Sequence, residues 1–203
     1  MSVSRALGTA DLQALIADVG QDLAGSGCLY LLGQTSHLAA GWRSEVERFD
    51  LAGEPLAGDL RALRDAVHAS ASRLGTAVAW EHPGDVIPLP DGAADRVRPT
   101  DLNPLGSVDG LTVRHFDPYS VVFRAIARGD EQDYRTALGY LAGGWVTIDG
   151  LETSLERTLS RFTKETILQD PAEFRRKFRG LRQMWRATEG ATARTGRQGT
   201  PTG

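Results

Sequence analysis

Two residues of opposite charge, Arg48 and Asp50, stand one residue apart in a segment that carries the elements of a phosphate- and metal-binding site. The segment LYLLGQTSHLAAGWRSEVERFDL (residues 29–51) runs from an apolar stretch through a glycine turn and a short helical pattern to a second strand pattern. A strand, a glycine turn and a helix N-terminus present backbone N–H groups to an anion. Two acids at i and i+2 on the next strand share one face and could hold Mg²⁺. Asp50 takes the second of these positions, and Arg48 takes the first.

The arginine leaves several interpretations of Asp50 open. At ~3.3 Å per residue, Arg48 and Asp50 would lie about 7 Å apart along a strand, so they could pair with each other. Arg48 could instead hold a phosphate through two hydrogen bonds. Asp50 could also be an ordinary strand-end acid that pairs with Arg43 or Arg48. Each case leaves a two-metal mechanism without its ligands, unless a one-residue bulge turns Glu47 from the opposite face towards Asp50.

The elements that must position these residues form an α/β first half and a helical second half. Short apolar runs and period-two patterns predict strands, whereas apolar residues at helical spacing between caps and glycines predict helices. The predicted strands cover residues 28–32, 46–51, 76–80 and 111–116. The predicted helices have a first cap at Thr9 or Asp11 and later starts near residues 34, 56, 117, 129, 149 (with Asp149 as cap) and 171. Residues 81–110, rich in Pro, Gly and Asp, predict a long irregular connection.

The fold class predicted from this order is α+β: a mixed sheet with flanking helices, followed by a helical C-terminal half. We predict an α/β core over residues 1–116 and a helical subdomain over residues 117–187. Residues 188–203 lack the apolar side chains that a core needs, so we predict a disordered tail there.

Composition restricts the class of protein. The 203 residues are 41% hydrophobic and 24% charged, which is enough to bury a sizeable core. The net charge of −3 argues against non-specific nucleic-acid binding through bulk charge. The single cysteine, Cys28, excludes a disulfide framework, and its apolar context predicts a buried side chain. No apolar stretch reaches the ~18 residues that cross a bilayer, and the N-terminus has no signal pattern. We expect a soluble cytoplasmic protein with no membrane contact.

The segment around Gly33 and Asp50 resembles the signature of the nucleotidyltransferase fold shared with DNA polymerase β. That signature is apolar-Gly-(Gly/Ser), nine to thirteen residues, and then Asp-apolar-(Asp/Glu)-apolar. Here Leu32-Gly33-Gln34 is followed by thirteen residues and then by Arg48-Phe49-Asp50-Leu51. Gln34 replaces the second small residue, and Arg48 replaces the first metal-binding acid.

Two later stretches resemble bacterial nucleotidyltransferase-like proteins of the DUF6036 type, which are related to the nucleotidyltransferases of toxin–antitoxin and phage-defence systems. The stretches are GDVIPLPDGAADRVRP (residues 84–99) and LTVRHFDPYSVVFRAIARGDEQDYRTAL (residues 111–138). The matching positions are Val86, Ile87, Pro88, Leu89, Pro90, Gly92, Arg96, Asp117, Pro118, Tyr119, Arg128 and Asp133. The departures are Arg124, Gln132 and Thr136, where lysine, arginine and aspartate are usual. The resemblance covers roughly residues 28–160.

The resemblance implies roles for individual residues. It implies nucleotide contacts from Gly33, Gln34, Thr35, Arg43, Arg48 and Arg128. It implies that Asp50 is the surviving metal ligand of its strand and that Glu81, at the end of the next predicted strand, is the third carboxylate. Asp50 and Glu81 would then hold one Mg²⁺, with Glu47 recruited if the strand bulges. Glu81 could also be an ordinary turn residue.

Two functions from different classes follow. The first is a nucleotidyltransferase-fold protein with a degenerate active site, which binds nucleotide or a partner as an antitoxin-like or regulatory module. The loss of the first acid to Arg48 and of the small residue to Gln34 favours this function. The alternative is an active Mg²⁺-dependent nucleotidyltransferase that moves a nucleoside monophosphate from an NTP to RNA, a protein or a small molecule.

The last predicted helix carries a dense run of basic residues, namely Arg175, Arg176, Lys177, Arg179, Arg182 and Arg186. A solvated helix face is the interpretation that we favour. The alternative is a surface that contacts RNA or an acidic partner protein by neutralising its charge.

Overall fold

The structure is a computed structural model, and it describes residues 5–23, 25–57, 60–100, 102, 107–108, 110–165 and 170–197. The helices are α1 (Thr9–Asp22), α2 (Gly33–Ala39), α3 (Leu60–Leu74), α4 (Pro118–Arg128), α5 (Glu131–Ala142), α6 (Ile148–Glu165) and α7 (Pro171–Arg197). The strands are β1 (Ser26–Leu31), β2 (Phe49–Ala57), β3 (Val78–Trp80), β4 (Arg98–Pro99), β5 (Ser107–Val108) and β6 (Leu111–His115).

The strands form one mixed sheet in the order β3-β2-β1-β6-β4, and β5 also pairs with β6. The central strand β1 is antiparallel to β2 and parallel to β6, while β2 and β3 are parallel. This arrangement confirms the predicted α+β class with a mixed sheet and flanking helices. Among the described residues, no helix is both long and apolar enough to cross a membrane.

Two hydrophobic clusters cover the two faces of the sheet, which explains why β1 is a continuous apolar run. Leu29 and Leu31 of β1 pack on one face with residues of α1 and α3. Cys28 and Tyr30 point to the other face and pack with residues of α4 to α7. The helical second half is therefore one layer of the core built on the sheet.

Asp50 of β2 faces the layer formed by α4 and α5. Its neighbours Phe49 and Leu51 belong to the cluster on the α1 and α3 side, and successive side chains of a strand point to opposite faces. Ala52 lies in the cluster on the α4 side, as this alternation requires. β2 thus directs the Asp50 carboxylate towards α4 and α5, and both helices contribute polar residues there.

Several boundaries differ from the sequence predictions for physical reasons. β2 begins at Phe49 rather than at residue 46, and it runs through residue 56, where a helix was predicted. Pairing of residues 51–57 with β1 outweighs the helical spacing of the leucines there. α6 begins at Ile148, and Gly150 N donates to Thr147 Oγ1 at 3.1 Å, so the prediction of Asp149 as cap is wrong.

The C-terminal half follows its local signals closely. At the predicted start near residue 117, Asp117 caps α4 by accepting hydrogen bonds from Tyr119 N at 3.2 Å and Ser120 N at 3.1 Å, with Pro118 in the first turn. The proposed division after residue 116 stays a prediction, and it falls in the short connection between β6 and α4. The backbone of α7 is helical to Arg197, beyond the predicted start of the tail at residue 188. The rest of that predicted tail, residues 198–203, lies outside the described residues.

Candidate functional site

A polar cavity of about 240 Å³ opens between the start of β2, the start of α2 and the helices α4 and α5. We call it the arginine cavity. Its lining residues are Gly33, Gln34, Glu47, Arg48, Asp50, Val121, Arg124, Ala125, Arg128, Asp130, Gln132, Asp133 and Thr136. Six residues that the sequence predicted for the site meet here: Gly33, Gln34, Glu47, Arg48, Asp50 and Arg128.

Gly33 forms the turn that lies beside the Asp50 carboxylate. Its φ of +48° lies in the left-handed region that disfavours side chains. A Cβ at this position would lie 3.4 Å from Asp50 Oδ2 and 3.6 Å from Thr136 Cγ2. The left-handed turn therefore favours glycine here, whereas the space beside Asp50 would admit a Cβ in ordinary van der Waals contact.

Thr35 holds the start of β2 in place through a hydrogen bond to the backbone of Asp50. It is fully buried, and its hydroxyl accepts a hydrogen bond from Asp50 N at 2.7 Å. The side chain lies outside the cavity lining. Thr35 thus positions Asp50, whereas the resemblance placed it on the phosphates.

Arg48 pairs with Asp50, which was one of the alternatives that the sequence left open. Arg48 Nε donates to Asp50 Oδ1 at 3.1 Å. The Asp50 side chain is 12% exposed and the Arg48 side chain is 54% exposed. The guanidinium therefore lies over a nearly buried carboxylate while much of it stays open to solvent.

Glu47 lines the same cavity, so the prediction that it points to the opposite face is wrong. The prediction extended the strand back to residue 46, but residues 47 and 48 form a bend and β2 begins at Phe49. Strand alternation does not apply before Phe49. Glu47, Arg48 and Asp50 consequently reach one cavity although residues 49–51 of β2 pair in regular register.

Glu81 follows β3 and is held by two arginines of α4. Arg124 Nε donates to Glu81 Oε2 at 2.5 Å, and Arg128 Nη2 donates to Oε1 at 3.4 Å. The Arg124 side chain is only 5% exposed, and a buried guanidinium requires an anionic partner. Glu81 is therefore committed to α4, and it is absent from the cavity lining.

Arg43 lies at the rim beside Gln34. Arg43 Nη1 donates to Gln34 Oε1, and Arg43 Nε donates to the backbone carbonyl of Glu45 at 2.8 Å. Gln34 lines the arginine cavity, whereas Arg43 does not. The side chains of Gln34 and Arg43 lie where the nucleotidyltransferase signature has a small residue.

Asp133, a position that matches the resemblance and for which no role at the site was predicted, also lines the cavity. Burial, followed by the charge of Asp130, raises its pKa from 3.8 to about 6. Its Oδ2 is buried without a hydrogen-bond partner among the described residues. The helix cap itself is Asp130, which accepts from Asp133 N at 2.9 Å. One signal in the sequence pointed to Asp133. It lies three residues before Thr136, and this spacing puts both residues on the cavity face of α5.

The acids do not form the metal site that the resemblance implies. In the described part of the chain, no three His, Cys, Asp or Glu side chains come together as ligands. Asp50 carries Arg48, and Glu81 carries Arg124 and Arg128. A Mg²⁺ ion needs oxygen ligands in a near-octahedral arrangement, and a guanidinium beside the carboxylate repels a cation. The donor set of these residues therefore does not fit Mg²⁺.

Two arginines of the basic run in α7 form ion pairs with acids of the neighbouring helix α6. Arg175 Nη2 contacts Glu156 of α6 at 3.2 Å, and Arg182 Nη1 contacts Glu152 of α6 at 2.6 Å. Lys177 Nζ donates to the carbonyl of Ala127 at 2.6 Å. These contacts link α7 to α6 and α4, and the solvated face of the basic run stays a prediction.

No family model, no curated protein and no solved structure matches the chain. The resemblance to nucleotidyltransferases therefore stays a prediction from the sequence motifs.

Proposed function

We propose that the protein is a nucleotidyltransferase-like module with a degenerate metal site, and that it binds the phosphate groups of a nucleotide through arginine without Mg²⁺. Such binding suits an antitoxin-like or regulatory role. The observation that carries the proposal is the contact of Arg48 Nε with Asp50 Oδ1 at 3.1 Å inside the cavity. The Arg48 guanidinium stands at the position of the first metal-binding acid in the nucleotidyltransferase signature.

The arginines supply the donors that a phosphate requires. Arg48 uses Nε for Asp50, and within the described part of the chain its Nη amines make no hydrogen bond. Arg128 lines the cavity, and its guanidinium makes one ion pair with the described residues, a long contact of 3.4 Å to Glu81. Guanidinium groups bind phosphate oxygens through parallel, charge-assisted hydrogen bonds.

The size of the cavity indicates which part of a nucleotide it takes. Its volume of about 240 Å³ lies below the ~300–1,000 Å³ of pockets that enclose a whole small molecule. We therefore place the phosphates inside, on Arg48 and Arg128, and the nucleoside towards the open mouth beside Gln34 and Arg43.

The test is calorimetric titration of the full chain with ATP, once with EDTA and once with Mg²⁺. We expect binding in EDTA and a loss of about tenfold in affinity for Arg48→Gln, as for the removal of one charge-assisted contact. Arg64→Gln is the matched control, because its side chain on α3 is 50% exposed against 54% for Arg48 and lies outside the cavity lining. Absence of ATP binding in both buffers, or equal loss in both variants, contradicts the proposal.

One observation favours the alternative, an active Mg²⁺-dependent nucleotidyltransferase that transfers a nucleoside monophosphate to RNA, a protein or a small molecule. Glu47 lines the cavity together with Asp50, so a second acid lies on the correct side of the strand. ATP binding that requires Mg²⁺ and is lost in both Asp50→Ala and Glu47→Gln would support this alternative. Mg²⁺ dependence that appears only in Arg48→Asp would instead support the degenerate site.

A further inference from the structure

A second cavity, of about 520 Å³, lies along the later part of β2, beyond the residues that pair with β3. We call it the aromatic cavity. Four rings line it, from Tyr30, Trp80, His82 and Phe116. Its volume lies within the ~300–1,000 Å³ of small-molecule sites, and it shares no lining residue with the arginine cavity.

The rings form fixed walls. The rings of Tyr30 and Phe116 meet edge to face, with centroids 5.0 Å apart and an angle of 78°. The rings of His82 and Phe116 meet in the same way at 5.0 Å and 79°. Gly53 lets the indole of Trp80 lie against β2, because a Cβ at residue 53 would be 2.5 Å from Trp80 Cη2. A flat ligand therefore meets a preformed apolar surface.

The charge of the aromatic cavity has one sign. The charged side chains among its described lining residues are Glu54 and Asp85, and both are acidic. Tyr30 Oη donates to Glu54 Oε2 at 2.9 Å, which orients the carboxylate with a neutral partner and leaves its negative charge uncompensated by that contact. Burial lowers the pKa of His82, and its Nδ1 accepts from Gly84 N at 3.1 Å, so the ring adds no positive charge at neutral pH.

We propose that the aromatic cavity binds a small planar aromatic molecule that carries a protonated amine. The ring of the ligand packs on Phe116 and Tyr30 and reaches Trp80 at the open edge of β2, and its ammonium group lies beside Glu54. Aromatic faces attract cations through their quadrupoles, and an oriented carboxylate adds charge-assisted hydrogen bonding. This binding is independent of the nucleotide site, because Arg48 and Arg128 do not line the aromatic cavity.

The test uses three probes that share an indole ring and differ in charge: tryptamine, 3-methylindole and indole-3-acetate. The indole N–H signals of ¹⁵N-labelled full chain are followed by NMR, and Trp80→Phe identifies the signal of Trp80. We expect a saturable shift of that signal with tryptamine and about tenfold weaker binding of indole-3-acetate. A Trp80 signal that does not respond to tryptamine, or equal affinity for all three probes, would overturn the proposal.

A substitution at Glu54 tests the charge selection without disturbing the core, because the Glu54 side chain is exposed. Glu54→Gln should weaken tryptamine binding about three- to tenfold and leave the affinity for 3-methylindole unchanged. The matched control is Glu131→Gln, which removes an exposed acid of α5 outside this cavity. An equal effect of the two substitutions would contradict the assignment of Glu54. Arg48→Gln should leave tryptamine binding unchanged, which separates this proposal from the nucleotide site.

Discussion

The arginine cavity and the aromatic cavity lie along the same strand, β2, but they treat their acids in opposite ways. In the first, Asp50 has a guanidinium partner in Arg48, so the protein itself compensates the charge. In the second, Glu54 has the neutral hydroxyl of Tyr30 as partner. An internally paired acid is a poor site for an incoming cation, whereas an oriented acid with a neutral partner favours one. The partner of each carboxylate, more than its presence, therefore sets the charge that the cavity offers to a ligand.

The difference follows from what covers each part of β2. Near Asp50 the strand is paired on both sides, with β1 through Leu51 and with β3 at residues 49–51. The helices α4 and α5 close this end and contribute arginines. β3 ends at Trp80, so β2 extends beyond it at Gly53 and Glu54, and the aromatic rings gather there.

The largest expected effect separates the two kinds of arginine inside the first cavity. Arg124→Met should lower the free energy of unfolding by about 3 kcal/mol, because it leaves Glu81 with only the long contact to Arg128 in a mostly buried setting. Arg48→Met removes a side chain that is 54% exposed and leaves the 12% exposed Asp50 without its ion-pair partner, so it should cost less, about 1 kcal/mol. Urea denaturation measures both. Equal effects would show that the cavity does not divide into a structural and a ligand-facing arginine.

The second prediction concerns the wall of the aromatic cavity. Gly53→Ala should cost about 2 kcal/mol, because its Cβ would lie 2.5 Å from Trp80 Cη2 and 2.7 Å from Leu63 Cδ2 and must displace both. Thermal or urea denaturation measures the cost, and a change in indole fluorescence should accompany it. Gly180→Ala is the control: it lies within α7 with its nearest described neighbour atom at 3.8 Å, and it should be neutral or stabilising. An unaffected Gly53→Ala variant would mean that Trp80 is free to move.

The smallest expected effect is a pH dependence confined to the arginine cavity. The pKa of Asp133 is raised from 3.8 to about 6, so ionisation destabilises the folded state. The contribution of Asp133 to wild-type stability should therefore be highest below pH 3.8 and fall as the pH rises to about 6. Asp133→Asn lacks this penalty. It should exceed the wild type by about 1 kcal/mol above pH 6 and match it below pH 4.

Denaturation of wild type and Asp133→Asn over this pH range measures the difference. Glu131→Gln, an exposed neighbour on α5, is the control. A difference of the opposite sign would mean that Asp133 is stabilised as an anion by Arg124 and Arg128, which lower its pKa in the folded protein.

Local signals in the sequence accounted for much of the helical half. Asp117-Pro118 starts α4 and Asp130 caps α5, because a cap and a proline act on the first turn whatever the rest of the chain does. The extent of β2 was not predictable from the same signals. The leucines near its end have helical spacing, and only pairing with β1 makes that part a strand.

The features of the site divide in the same way into local ones, which the sequence indicates, and long-range ones, which it does not. The turn at Gly33 and the pairing of Arg48 with Asp50 involve neighbouring positions in the sequence, so the sequence raised both. The commitment of Glu81 to Arg124 joins residues 43 positions apart, and no local pattern shows it. The face of Glu47 depended on where β2 begins, which strand alternation alone does not reveal.

By itself the sequence determined a mixed α/β core. It also determined which charged side chains were available, namely a carboxylate at Asp50 and an arginine in place of the first acid. Helix caps, glycine turns and apolar spacing act over a few residues, so they are present in the sequence alone. Only the tertiary structure decided the partners of the charges, with Asp50 and Glu81 held by arginines and Glu54 held by a tyrosine hydroxyl. The physical reason is that a charge is compensated through space, by side chains that the packing of distant elements brings within a few ångströms.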